Sequence, residues 1–116
     1  MAPADLALKI AQILDSKKAS DITILKVDHL TSIADYFVIA TGNNPAQIEA
    51  MTEAVDEALS KEGVFVKHTE GHQGKNWVLM DYGDVIVHIF DRENRLFYDL
   101  ERIWKDGKRV DSESLG

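Results

Sequence analysis

An uninterrupted apolar run at residues 36–40 most constrains the fold of this 116-residue chain. A strand with apolar side chains on both faces needs cover on both sides, which is typical of sheets flanked by helices. A helix start follows it, because Asn44 is an N-cap candidate, Pro45 fits the first helical position and Gln47 completes a capping-box spacing. This order of strand and helix predicts an α/β protein.

Hydrophobic periodicity predicts three helices in all. The first begins behind Pro3 and ends near Lys17, and the second runs from its Asn44 cap to a stop at Gly63. The third follows Asp91, a possible N-cap, and carries Trp104 on its apolar face.

Segments rich in β-branched and aromatic residues predict five strands. They cover residues 22–28, 36–40, 64–68, 77–81 and 84–90. The strand, helix and strand of residues 36–68 predict a right-handed crossover with parallel pairing, and Tyr82-Gly83 predicts a tight hairpin between the last two strands. The predicted fold is an α+β mixed sheet of about five strands, flanked by α-helices.

The chain length fits one compact domain, which we place at residues 1–107, with a polar C-terminal tail at residues 108–116. No apolar run approaches the roughly 20 residues of a membrane helix, and the N-terminus lacks a secretory leader pattern. We therefore expect a cytoplasmic protein without a membrane partner. The absence of cysteine agrees with a reducing compartment.

The formal net charge of −7 argues against binding to nucleic acid mainly through phosphate neutralisation, which needs clustered Lys and Arg. A basic partner, such as a ribosomal protein, fits this charge better. An acidic balance is also a common solubility device, so the charge is weak evidence by itself.

Three local patterns could carry chemistry. His68 and His72 have a metal-ligand spacing, but a solvated turn fits their surroundings better. Asp81 and Asp84 could hold a divalent cation and the Gly42 loop could bind phosphate, which leaves a nucleotide-binding or nucleotidyltransferase-like enzyme as the alternative function. Turn formation and helix capping explain the same residues, so we expect no catalytic residue, metal or cofactor.

The most specific pattern is the block at residues 77–90, which is very similar to the core signature of the Iojap-related ribosomal silencing factors. Residues 98–104 resemble the terminal helix motif of that family. Residues 32–39 resemble its other diagnostic stretch, and residues 17–22 extend the match. The resemblance covers nearly the whole chain in the right order.

This resemblance implies a non-enzymatic protein that is a homodimer when free. Members of the family bind the large ribosomal subunit through its ribosomal protein number fourteen, block association with the small subunit and so repress translation. They can also assist in large-subunit biogenesis. The resemblance further implies a nucleotidyltransferase-like topology without the active site, because Gly42 is followed by Asn43 instead of serine, and Asp81 and Asp84 are three residues apart.

A docking protein of this kind needs a few anchor side chains at its interface. The aromatic candidates are Trp77, Tyr82, Tyr98 and Trp104. The carboxylates able to meet Lys or Arg on the partner are Asp81, Asp84 and Glu101. Trp104 fits a core position better than a surface one, and Trp77 fits either. His88 alternates in phase with Ile86 and Phe90, which favours a core or interface histidine over a catalytic one.

Overall fold

The computed structural model describes residues 1–71, 77–98 and 106–110. In that part of the chain the helices are α1 (Pro3–Ser16), α2 (Pro45–Lys61) and α3 (Arg92–Tyr98). The strands are β1 (Ser20–Lys26), β2 (Tyr36–Thr41), β3 (His68–Glu70), β4 (Trp77–Asp81), β5 (Val85–Phe90) and β6 (Lys108–Val110). None of the helices described is long and apolar enough to cross a membrane.

The strands form one mixed sheet in the order β3-β4-β5-β2-β1-β6. Strands β2 and β5 are parallel at its centre, and every other pairing is antiparallel. All six residues of both central strands are buried, as expected for strands covered on both faces. The predicted α+β mixed sheet flanked by helices is confirmed.

The sixth strand, β6, lies where the sequence predicted only a polar tail. It pairs with the outer edge of β1, where Ile24 lies opposite Val110. Strand β6 has only three residues, of which one is apolar, so the sequence shows no alternation that would predict a strand. Backbone hydrogen bonds with β1 stabilise it instead. The sheet therefore has one strand more than the predicted five.

Strand β3 lies elsewhere in the sheet than predicted. It covers His68–Glu70 and pairs antiparallel with β4 at the edge, so the expected pairing of residues 64–68 beside β2 is wrong. The place beside β2 belongs to β5, whose apolar residues need cover on both faces. A short strand with exposed side chains is tolerated best at an edge.

The predicted hairpin between β4 and β5 is present, but its turn lies one residue later. The backbone N–H of Tyr82 donates to the Val85 carbonyl at 2.9 Å, so the turn residues are Gly83 and Asp84. Gly83 has a φ of +91°, a value that suits glycine at the first turn position.

The two long helices pack on one face of the sheet. Their apolar sides and the inward residues of the strands form a helix-side cluster. Its most buried members include Ile10, Leu14, Met51, Val55, Leu59 and Ile89. A smaller far-face cluster lies on the other side of the sheet. Its buried members are Leu25, Val27, Ala34, Phe37, Ile39, Ile86 and Phe90.

The predicted helix caps are confirmed. The Asn44 side chain accepts from the Gln47 backbone N–H at 2.8 Å, and the Gln47 side chain accepts in return from the Asn43 N–H at 2.6 Å. Asp91 caps α3, because its Oδ1 accepts from the Asn94 N–H at 2.7 Å. The remainder of the predicted third helix lies outside the described residues.

Candidate functional site

Strand β4 presents Trp77, Leu79 and Asp81 on the far face of the sheet. These three side chains are half-buried, and we call them the β4 stripe. Because side chains alternate along a strand, Val78 and Met80 point to the helix side and are buried there. The stripe therefore lies on the face opposite α1 and α2.

The indole of Trp77 is held in a set of aromatic rings. It stacks on Phe90, its direct cross-strand neighbour, with ring centroids 5.3 Å apart and an interplanar angle of 18°. Its Nε1–H donates to Nδ1 of His88 at 3.3 Å. The ring of Phe37 meets the other side of His88 edge-on, with centroids 5.2 Å apart. Trp77 is thus a half-buried aromatic side chain in a defined orientation.

His88 lies beside the stripe on the neighbouring strand β5 and is 6% exposed. Burial lowers the pKa of His88 to about 4, so the imidazole is neutral at pH 7. It lies opposite Leu79 in the β4–β5 pairing and has the far-face position of Ile86 and Phe90. The structure therefore places His88 among the buried residues of the far face, next to the stripe.

The two aspartates of the hairpin differ in their surroundings. Asp81 Oδ1 accepts from the Gly83 backbone N–H at 2.7 Å, so its carboxylate stabilises the turn. The Asp84 side chain is exposed, while its carbonyl accepts from the N–H groups of Asp35 and Tyr36 at 2.8 and 3.1 Å. Among the residues described, no group of three His, Cys, Asp or Glu could hold a metal ion.

Tyr82 lies on the helix side of the sheet, on the face opposite the β4 stripe, whereas the sequence analysis named it as a partner contact. It is 7% exposed and belongs to the helix-side cluster, since five positions along an alternating chain separate it from Trp77. Burial raises the pKa of Tyr82, and the nearby Asp56 carboxylate adds to that effect. Its side chain supports α2 from inside, so we withdraw Tyr82 from the set of anchors.

Three of the predicted site residues cannot be placed on a surface. Tyr98 is the last described residue of α3, and its side chain is outside the description. Glu101 and Trp104 lie outside the described residues. Their roles as a partner contact or as core remain predictions.

The residues of the alternative enzyme site lie at opposite ends of the sheet. The Gly42 N–H donates to the Phe90 carbonyl, so the Gly42 loop lies where β2 and β5 end. The turn of Asp81 and Asp84 lies at the other end, where β2 and β5 begin. The paired length of these strands is five residue steps of about 3.3 Å, so the two ends are about 16 Å apart. The Gly42 loop and the two carboxylates therefore do not form one site, and the alternative loses its geometric basis.

Three residues at or beside the stripe were not predicted as partner contacts, namely Leu79, Glu70 and His68. In the β3–β4 pairing Glu70 lies opposite Leu79, and His68 lies opposite Asp81. The side chains of His68 and Glu70 are exposed and form an ion pair at 2.9 Å when the histidine is protonated. The alternation of β4 could have identified Leu79, but the two β3 residues depend on a pairing that the sequence did not predict.

Comparisons with known proteins agree with one another. The family model described as "Ribosomal silencing factor during starvation" matches residues 1–116. A ribosomal silencing factor of Bacillus subtilis is 39% identical over 105 residues, which cover 90% of this chain and 89% of that protein. The chloroplast Iojap protein of Zea mays is 34% identical over 106 residues, covering 90% of this chain and 46% of that protein. A crystal structure of a Chromobacterium violaceum protein has a TM-score of 0.86 at 34% identity and covers 96% of this chain and 92% of its own.

Proposed function

The chain belongs to the family of ribosomal silencing factors, and we propose that it binds the large ribosomal subunit through ribosomal protein number fourteen. Bound there, it blocks association with the small subunit by occupying the joining face, and it so represses translation in the cytoplasm. Inhibition of this kind depends on affinity and residence time and needs no cofactor.

The observation that carries this proposal is the β4 stripe. Trp77 and Leu79 form a half-buried apolar strip on the face of the sheet that α1 and α2 leave free. Protein interfaces derive most of their binding energy from a few anchors, and Trp is among the most frequent. An indole already held by Phe90 and His88 loses little conformational entropy on binding. Trp77 therefore has the properties of a docking anchor.

The charges around the stripe favour a basic partner. Glu70 is exposed beside Leu79, Asp84 is exposed in the turn that follows Asp81, and the whole chain carries a formal net charge of −7. Such a surface attracts clustered Lys and Arg and speeds encounter with them at low salt. Association with the large subunit should accordingly slow as the salt concentration rises.

The direct test is binding of the purified chain to large subunits and to isolated ribosomal protein number fourteen. Replacing Trp77 with Ala should remove a hot spot of roughly 2–4 kcal/mol, which is about 30- to 1,000-fold in affinity. Phe65→Ala is the matched control, because Phe65 is a 68% exposed aromatic residue in the segment between α2 and β3 and does not belong to the stripe. Failure of the unaltered chain to bind either partner would overturn the proposal.

A second measurement tests the consequence of binding. Light scattering follows the joining of large and small subunits, and the unaltered chain should slow it when added to the large subunit first. Trp77→Ala at the same concentration should leave joining unchanged, and Phe65→Ala should inhibit as the unaltered chain does. Inhibition that survives the loss of Trp77 would place the docking surface elsewhere.

The proposal includes a homodimer in free solution. Sedimentation of the chain alone and with large subunits tests this, since a dimer should be present alone. A monomer at micromolar concentration would remove the dimer from the proposal without affecting ribosome binding.

A further inference from the structure

His88 is a polar residue in a position where packing alone favours an apolar one. Its ring lies among Phe37, Trp77 and Phe90 and is 6% exposed. In the part of the chain that the structure describes, its Nε2 has no hydrogen-bond partner. A buried polar atom without a partner costs free energy that a leucine or phenylalanine would avoid. This cost calls for a role other than filling space.

The hydrogen bond with Trp77 supplies such a role. An indole N–H can only donate, so Nδ1 of His88 must be the acceptor and the neutral ring carries its proton on Nε2. No apolar residue could accept this bond. The bond sets the direction of the indole N–H, and the nearly parallel rings of His88 and Phe90 set the plane of the indole. Phe37 in turn holds the His88 ring by an edge contact.

We propose that His88 is a positioning residue for partner binding, which holds the Trp77 indole in the orientation that docks. This inference rests on the proposed function, in which Trp77 is the anchor. His88 does not meet the partner itself, because it is only 6% exposed and lies beside Leu79 and the indole without reaching the surface that they present. A side chain that is fixed before binding loses less freedom on binding, and we expect this to be worth about 3- to 10-fold in affinity.

A double-mutant cycle separates positioning from other roles. Replacing His88 with Leu should weaken binding to the large subunit about 3- to 10-fold when Trp77 is present. In a Trp77→Phe chain, which keeps an aromatic ring but cannot donate, the same replacement should change the affinity by less than about twofold. Equal losses in the two backgrounds would show that His88 acts without Trp77 and would overturn the inference.

The indole N–H signal of Trp77 provides a readout that needs no partner. It is assigned by its absence from the Trp77→Phe spectrum. His88→Leu should shift this signal and speed its exchange with water. His88→Asn, whose Oδ1 can stand near the position of Nδ1, should restore both the signal and part of the affinity. An indole signal that is unchanged in His88→Leu would contradict the inference.

The two proposals fail in different ways. If Trp77→Ala binds as tightly as the unaltered chain, the docking surface is wrong and the positioning role falls with it. If Trp77→Ala weakens binding but His88→Leu moves neither the affinity nor the indole signal, only the inference about His88 fails. Should His88→Leu not fold, His88→Met, which also lacks a strong acceptor for the indole N–H, replaces it in both backgrounds and must show the same difference between them.

Discussion

Gly71 lies against the main chain of Trp77, so that a Cβ atom added to Gly71 would stand 1.8 Å from the Trp77 carbonyl oxygen and 2.9 Å from its carbonyl carbon. Gly71 also has a φ of +76°, which L side chains rarely adopt. The atoms that such a Cβ would meet belong to the Trp77 main chain, which cannot move aside as a flexible side chain can. Gly71 therefore lets β3 and β4 approach each other at Trp77, where β4 begins.

Replacing Gly71 with Ala should destabilise the domain by roughly 3 kcal/mol or more, since the main chain at Trp77 has to move. Gly63→Ala is the matched control, because Gly63 has a φ of +79° but nothing within 4 Å of an added Cβ. It should cost about 1–2 kcal/mol from the backbone conformation alone. Urea unfolding measures both, and equal losses would contradict the role of the close approach.

Stability should fall in acid because of His88. Its pKa is about 4 in the folded chain and about 6.5 in an unfolded one, so the unfolded state binds a proton more readily. The contribution of the neutral ring is complete above pH 6.5 and is lost as the pH falls towards 4. The loss amounts to roughly 3 kcal/mol.

Unfolding free energies between pH 7 and pH 4 test this expectation. His88→Asn should flatten the slope in that interval, because it removes the titrating group. His68→Gln, which replaces an exposed histidine, should keep the slope. If the unfolding free energy of His88→Asn depends on pH as steeply as that of the unaltered chain, the pH dependence comes from other groups.

Arg95 attaches α3 to the sheet. Its guanidinium donates to the Thr41 and Thr23 hydroxyls at 3.0 Å each and also to the Asp21 carbonyl. Arg95→Met should therefore lower the free energy of unfolding by about 2–4 kcal/mol, given about 1.5–3 kcal/mol for a bond to a charged group. Hydrogen exchange in α3 should speed up in the same variant.

Arg92 offers a control for Arg95 in the same helix. It is exposed and makes a 3.2 Å bond to the Asn43 side chain. Arg92→Met should change the free energy of unfolding by about 0.5 kcal/mol or less. Similar losses for the two arginines would refute the attachment role of Arg95.

The cap of α2 should be worth about 1 kcal/mol. Asn44→Ala removes the acceptor for the Gln47 N–H and should lower the melting temperature by about 4 °C for a domain of this size. Asn44→Asp keeps the acceptor and adds a negative charge at the helix start, so it should retain the stability. If Asn44→Ala has the same melting temperature as the unaltered chain, the cap makes no net contribution to stability.

Local signals in the sequence identified much of the fold. The Asn44 and Asp91 caps place the starts of α2 and α3 because each cap depends on residues no more than three positions away. The apolar run of β2 identifies a strand buried on both faces for a similar reason, since such burial favours apolar residues at successive positions.

Signals for the docking surface were weaker. Trp77, Asp81 and Asp84 were predicted from a resemblance and from residue type, whereas Leu79 and Glu70 join the surface through strand alternation and pairing. Tyr82 was predicted as an anchor because it is aromatic and lies in the block at residues 77–90. Because side chains alternate along β4, Tyr82 points to the opposite face of the sheet from Trp77 and is buried under α2.

The amino-acid sequence by itself determined where the helices begin, which segments form β2, β4 and β5, and the family, because caps, periodicity and motif residues act over a few positions along the chain. Only the tertiary structure decided that β5 lies beside β2, that β3 lies at the edge and that β6 extends the sheet. These pairings join segments far apart in sequence, and their free energy comes from burial and backbone hydrogen bonds that exist only in the assembled sheet. The contact between Trp77 and His88 belongs to the same class, since it requires β4 and β5 to be in register.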